Sequence, residues 1–223
     1  MSISENLKYL KASLPPGVKL VAVSKTKSDP EILEAYNTGQ RVFGENKVQE
    51  LAAKYERMPR DIEWHLIGHL QSNKVKYIAP FVSMIHSVDS GKLLEVIDRE
   101  GEKNKRVIDC LLQFHIALEE TKFGLSPNEA RVILSSEEYL KMKHVRICGV
   151  MGMATFTDDT ARVRREFQFL HDTFIRLKNE YFADHPAFRE LSMGMSDDFR
   201  LAMECGSTMV RIGSAVFGAR KYL

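Results

Sequence analysis

Short runs of β-branched and other apolar residues alternate with amphipathic stretches along nearly the whole chain, the order that gives parallel strands joined by helical crossovers. Eight runs stand out: KLVAVSK (19 to 25), RVFGEN (41 to 46), EWHLIG (63 to 68), MIHSVD (84 to 89), RVIDCLLQFHI (106 to 116), VRICGVMGM (145 to 153), RELSMG (189 to 194) and TMVRIGSAVFG (208 to 218). Helix punctuation fills the gaps. Ser28 or Asp29 opens a helix with Pro30 in its first turn, Glu31 completes a capping box with Ser28, and Gly39 stops it. Val163, Phe167, Leu170, Phe174 and Leu177 recur at intervals of 4, 3, 4 and 3, one apolar stripe along a long helix. The last helix, DDFRLAMEC, lies between Ser196 and Gly206, residue types that open and close helices. Leu7, Leu10 and Leu14 share helical spacing, so an extra N-terminal helix is expected, set against the bottom of the sheet. Eight units without a Pro- or Gly-rich linker fit a closed TIM-type (β/α)₈ barrel better than an open doubly wound sheet. Residues 1–223 are expected to form a single domain of that kind.

Composition narrows the partners. A length of 223 residues supports one sizeable core, and 32 basic against 30 acidic residues leave a net charge of +2, no basis for a nucleic-acid or membrane partner. The N-terminus MSISENLKYLKASL mixes charge with apolar residues and has no h-region, which points to a cytoplasmic address. Cys110, Cys148 and Cys205 are odd in number and have no C-x-x-C spacing, so they are expected to be buried thiols, not a disulfide framework or zinc site. His65 and His69 fall across a strand end and Gly68, which need not put both rings on one face, and no metal is expected. A closed barrel needs no partner copy, so a monomer is expected.

The active face of such a barrel lies at the C-terminal ends of its strands. The first strand run ends on Lys25, where an amine set at the top of the barrel can be desolvated and attack an aldehyde; the alternative is a solvated loop charge. In the eighth run Arg211 interrupts apolar residues and is followed by Ile212, Gly213 and Ser214. Successive backbone N–H groups at Gly213 and Ser214 suit a phosphate, and Ser196 is either a plain N-cap or a further anion contact. An amine facing a phosphate cradle describes an aldehyde-bearing phosphate ligand, with pyridoxal 5′-phosphate (PLP) as the candidate cofactor.

These residues resemble the YggS or pyridoxal phosphate homeostasis protein family, which is related to the barrel domain of alanine racemase. The resemblance runs through VAVSKTK (21 to 27), FGENKVQEL (43 to 51), WHLIGHLQSNK (64 to 74), IHSVDS (85 to 90), the GVMGMA stretch (149 to 154), LSMGMSDDF (191 to 199) and GSTMVRIGSAVFGAR (206 to 220). It implies that Lys25 forms a Schiff base with PLP, that Arg211 faces the pyridine nitrogen, that Ser196, Gly213 and Ser214 hold the phosphate, and that Asn46 lies beside the cofactor. Met193 and Met195 are left as lining or core. It further implies a non-enzymatic role in intracellular PLP (vitamin B6) homeostasis, with PLP-requiring apo-enzymes as partners.

One departure is at His115, in QFHIALEETKFG, where the family pattern leads to asparagine. His115 is either satisfied within the core or near the ring, and Lys122 is either a loop charge or a second amine. An arginine at the pyridine nitrogen leaves that nitrogen an acceptor and the ring a weaker electron sink. The sequence ends at Leu223, just past the last strand run, so the second domain of a racemase is expected to be absent. Two other functions stay open: a small PLP-dependent amino-acid racemase using Lys25 as one base, and a phosphate-binding barrel unrelated to PLP.

Overall fold

The computed structural model describes residues 2–118 and 123–218. Eight parallel strands close in sequence order into a barrel: β1 (Lys19–Val23), β2 (Val42–Glu45), β3 (Glu63–Leu66), β4 (Met84–Val88), β5 (Ile108–Phe114), β6 (Val145–Gly152), β7 (Glu190–Ser192) and β8 (Met209–Ile212). The β1–β8 ladder, pairing Lys19 with Met209 through to Ala22 with Ile212, seals it. All eight strand runs are therefore present in the expected order. Closure removes the sheet edges that an open arrangement would have to protect.

Helices follow the strands around the outside. They are α1 (Ile3–Ser13), α2 (Asp29–Asn37), α3 (Val48–Arg57), α4 (Gly91–Lys103), α5 (Pro127–Leu134), α6 (Glu137–Lys141), α7 (Thr160–Tyr181), α8 (Phe199–Glu204) and α9 (Ser214–Phe217), with a 3₁₀ helix at Ser72–Tyr77 between β3 and β4. The Ser28–Glu31 capping box opens α2 as the sequence indicates. The stripe Val163, Phe167, Leu170, Phe174 and Leu177 is buried along α7. The extra helix α1 buries Leu7 and Leu10 against α2 and α9, and Asn6 Nδ2 donates to the Val216 carbonyl at 3.0 Å. Its contacts thus place it in the outer ring, not under the barrel floor.

Two further expectations are corrected. The eighth run does not continue as a strand to 218: the chain turns at Gly213 and forms α9, which becomes the last helix of the described residues. Ser196 is not the N-cap of α8; Asp198 is, and its carboxylate accepts from the Met195 backbone N–H at 2.5 Å.

Most buried apolar side chains lie between strands and helices. A smaller cluster of Val21, Met84, Leu111, Cys148, Met151 and Met209 packs apart from them, each on a strand and next in sequence to residues of the larger core. Alternation along a strand explains the division: Val210 and Ile212 belong to the outer core, and Arg211 between them turns inward. Lys19 and Glu190, which begin β1 and β7, pair at the opposite end from the loops discussed next. All three cysteines are free and buried. Among the described residues no helix is long and apolar enough to cross a membrane.

Candidate functional site

The C-terminal ends of the strands enclose a cavity of about 500 Å³. Lys25, Asn46, Ser196, Arg211, Gly213 and Ser214 all line it, so the six residues singled out in the sequence meet in one place. They come from the ends of β1, β2, β7 and β8.

Lys25 sits in a turn beyond β1, two residues past the end of the strand, and is half-buried. The Lys27 N–H donates to the Ser24 carbonyl at 3.0 Å, and Thr26 takes a φ of 63°. A β-branched residue at positive φ is strained and persists where its surroundings hold it. Here they do. The Thr26 N–H donates to Glu50 Oε1 at 2.7 Å, and Lys54 Nζ donates to the Ser24 carbonyl, Glu45 Oε1 and Glu50 Oε1, each at 2.7 Å. Ser24 Oγ donates to Glu45 Oε1 at 2.6 Å. Both neighbours of Lys25 are thereby tied to one buried network from β2 and α3. Burial pushes the Glu45 carboxyl above its ordinary range, opposed by Lys54 and Ser24. Lys27, which also lines the cavity, donates to Glu31 at 3.2 Å and to the Phe217 carbonyl at 3.1 Å.

Opposite the Lys25 turn, the loop after β7 meets the turn after β8. Ser196 Oγ accepts from the Ala215 N–H at 3.4 Å, which brings its hydroxyl beside Gly213 and Ser214 instead of onto α8. A Cβ added to Gly213 would stand 3.4 Å from Val23, an ordinary contact, so this glycine is not demanded by packing against β1. Gly68 is different: a Cβ there would come within 2.3 Å of the Asn46 carbonyl oxygen. The close approach of the segments that follow β3 and β2 therefore fixes the backbone of Asn46, and the sequence signal for it was the glycine that closes the EWHLIG run.

Arg211 is 4% exposed and faces the cavity. Its Nη1 donates to Ser192 Oγ at 2.6 Å and its Nη2 to the Gly152 carbonyl at 3.0 Å. Burial pulls the guanidinium down to about 10, which leaves it cationic at neutral pH. Beneath it, Ser192 Oγ lies 3.2 Å from His86 Nδ1, and His86 Nε2 lies 2.9 Å from His65 Nδ1. Burial, reinforced by Lys19, lowers His65 to about 3, and burial together with His65, Arg211 and Lys19 holds His86 well below its ordinary value. Both rings are neutral in the fold. The unfolded chain takes up protons on them below about pH 6.5 while the folded chain does not, so stability is present above that pH and lost as pH falls. Melting temperature is expected to fall between pH 7 and pH 5, each histidine steepening the loss toward about 1.4 kcal/mol per pH unit. A flat profile over that range would contradict the assignment.

The remaining candidates separate. His65 goes to His86, whereas His69 stacks on Phe123 at 3.9 Å between ring centroids and lies 3.4 Å from Asp89, so the two histidines of HLIGH do not converge. Among the described residues no group of three or more His, Cys, Asp or Glu is placed to hold a metal. Half-buried His115 does not line the cavity; Gln113, two residues earlier on β5, does, and its Nε2 donates to the Phe123 carbonyl at 2.9 Å. Met193 is core, while Met195 is at the cavity rim. Lys122 and residues 219–223 lie outside the described residues. With a cationic floor, two amines in the wall and hydroxyls at one end, the cavity suits an anion that carries a carbonyl group.

The family model described as alanine racemase, N-terminal domain, matches residues 1–221. The pyridoxal phosphate homeostasis protein of Aquifex aeolicus (strain VF5) is 42% identical over 205 residues, covering 92% of this chain and 88% of that protein. The protein of the same description from Pasteurella multocida (strain Pm70) is 36% identical over 235 residues, covering 100% and 99%. Among solved structures, PipY of Synechococcus elongatus PCC7942 with PLP bound superposes with a TM-score of 0.87 at 37% identity, over 97% of this chain and 100% of that one. Alanine racemase from E. faecalis, at 17% identity and a TM-score of 0.75, shares the fold over 58% of its length.

Proposed function

The chain belongs to the alanine racemase N-terminal domain family and within it to the pyridoxal phosphate homeostasis proteins, and from that premise we propose that it binds PLP and serves intracellular PLP homeostasis. The observation that carries this reading is the convergence of Lys25, Arg211 and the Ser196, Gly213 and Ser214 group in one cavity. The cavity, at about 500 Å³, is in the size range of cofactor sites. Its donors match the ligand's chemistry: a lysine amine for the aldehyde, a buried guanidinium for the ring nitrogen, and hydroxyl and backbone groups for the phosphate, with Asn46 beside the ring. When bound, PLP supplies a reactive aldehyde conjugated to an electron-withdrawing ring.

The role we propose is holding and handing on, without a dedicated substrate. Arg211 bears on this, because a cation hydrogen-bonded to Ser192 and Gly152 donates to the ring nitrogen and does not protonate it. That leaves the ring a weak acceptor of a carbanion's charge. Residues 1–223 act, in this reading, as one cytoplasmic domain that works as a monomer and passes PLP to PLP-requiring apo-enzymes. Incubation with PLP is expected to give a saturable visible absorption band with one cofactor per chain. In heavy water, amino acids added to the loaded protein are expected to show no deuterium exchange at Cα beyond that with free PLP. Catalytic exchange would instead establish the racemase-like alternative, and absence of the band would favour a phosphate-binding barrel without PLP.

A further inference from the structure

The interior of the barrel holds a line of polar groups that binding of a ligand does not by itself require. It runs from Arg211 on β8 to Ser192 on β7, across the barrel to His86 on β4, and on to His65 on β3. His86 and Ser192 are fully buried, and His65 is 3% exposed. Polar side chains carried this deep cost stability unless they are paired, and an apolar interior would have been simpler to build.

The direction of the chain follows from one fact. A guanidinium has donors and no acceptor, so Ser192 Oγ accepts from Arg211 Nη1. The serine proton then needs an acceptor, and His86 Nδ1 at 3.2 Å is the one placed to receive it. His86 must in that case carry its proton on Nε2, which donates to His65 Nδ1 at 2.9 Å, and His65 must carry its own on Nε2. Running the histidine bonds the other way would make Ser192 Oγ accept from both Arg211 and His86 and turn its own proton away from both of the groups bonded to it. Lys19 opposes a charge on either ring, and Arg211 opposes one on His86.

We propose that His86 and His65 are positioning residues: through Ser192 they form an ordered hydrogen-bond chain that holds the Arg211 guanidinium in one orientation at the cavity floor and so sets the hydrogen bond offered to the ring nitrogen of a bound pyridine. The inference rests on the PLP reading for its last step alone. Ser192 with a fixed hydroxyl rotor and the Gly152 carbonyl take one Nη each, which stops rotation of the guanidinium and aims its remaining N–H groups. Breaking the chain at His86 frees the serine rotor and with it Arg211.

The test begins with the protein without ligand, so that it does not depend on PLP binding. Nitrogen-15 spectra at about pH 6 are expected to show both His65 and His86 as neutral Nε2–H tautomers and to resolve the Arg211 Nη groups separately. An imidazolium at either position, or an Nδ1–H tautomer of His86, overturns the proposal and needs no variant. In His86→Leu the separate Nη signals are expected to merge, whereas His86→Asn, whose Oδ1 can accept from Ser192, is expected to keep them. On loading with ring-nitrogen-labelled PLP, the ring nitrogen shift is expected to move in the leucine variant and stay near wild type in the asparagine variant. An unchanged Arg211 pattern in a folded His86→Leu protein overturns the chain. If the chain holds without ligand but the wild-type protein takes up no PLP, the functional reading fails and the positioning of Arg211 does not.

Discussion

Lys54→Met is expected to lower stability by about 3–5 kcal/mol, the effect of removing one partner from a buried ion pair. Lys54 is 3% exposed and, among the described residues, is the one cation bonded to Glu45, whose Oε2 has no hydrogen-bond partner there. Without the ammonium, the Glu45 carboxylate is left uncompensated and the Ser24 carbonyl loses a donor. For a chain of this size the change amounts to a drop of about 10 °C in melting temperature. The double variant Glu45→Leu, Lys54→Met is expected to regain much of the loss, since it removes the stranded charge together with its partner. Because Lys54 and Glu50 hold the residues on both sides of Lys25, both proteins are expected to bind PLP more weakly than wild type even where stability is recovered. Thermal melts paired with PLP titrations separate the two effects, and a recovered fold with unchanged affinity would show that the clamp does not orient Lys25.

Pyridoxal, which lacks the phosphate, is expected to bind at least about a hundredfold more weakly than PLP. Each hydrogen bond to a charged group contributes about 1.5–3 kcal/mol, and tenfold in affinity corresponds to about 1.4 kcal/mol, so losing two such contacts is sufficient. The discrimination is placed at the end of the cavity where Ser196 meets the turn after β8. Ser196→Ala is expected to weaken PLP and leave pyridoxal nearly unaffected, because its hydroxyl is not spent on capping α8. Equal affinities for the two vitamers, measured by equilibrium dialysis, would put the phosphate elsewhere.

The barrel was legible in the sequence because parallel strands buried on both faces form continuous apolar runs, and eight of them are hard to arrange otherwise. Their ends were less legible. KLVAVSK was expected to be a strand throughout, but the ladder stops at Val23 and Lys25 lies in a turn. The residues just past a ladder are those that line the cavity, and nothing in their composition marks the departure. At the other end of the chain, TMVRIGSAVFG is one apolar run in which strand and buried helix cannot be told apart by periodicity. The chain resolves this at Gly213.

The site was legible to the same depth. Lys25, Ser196, Arg211, Gly213 and Ser214 could be named because the fold dictates that strand ends converge, and Asn46 through the family resemblance. What supports them could not. The Lys54 clamp depends on how α3 lies on β2 and on the positive φ of Thr26, neither of which has a spacing signature. The His65–His86–Ser192–Arg211 chain spans four strands and exists because the barrel closes. A weak signal was present, since Trp64 and Leu66 belong to the outer core and parity then turns His65 inward, but its partner could not be chosen without the register.

In the function proposed for this chain, Lys25 is the amine that holds the cofactor. Borohydride reduction of the PLP-saturated protein, followed by proteolysis and fragment mass analysis, tests it directly. Lys27 lines the same cavity, so fragmentation must separate the two lysines. Pyridoxyl mass is expected on Lys25 in close to one copy per chain. Pyridoxyl mass on Lys27, or spread over several lysines with Lys25 unmodified, would contradict it.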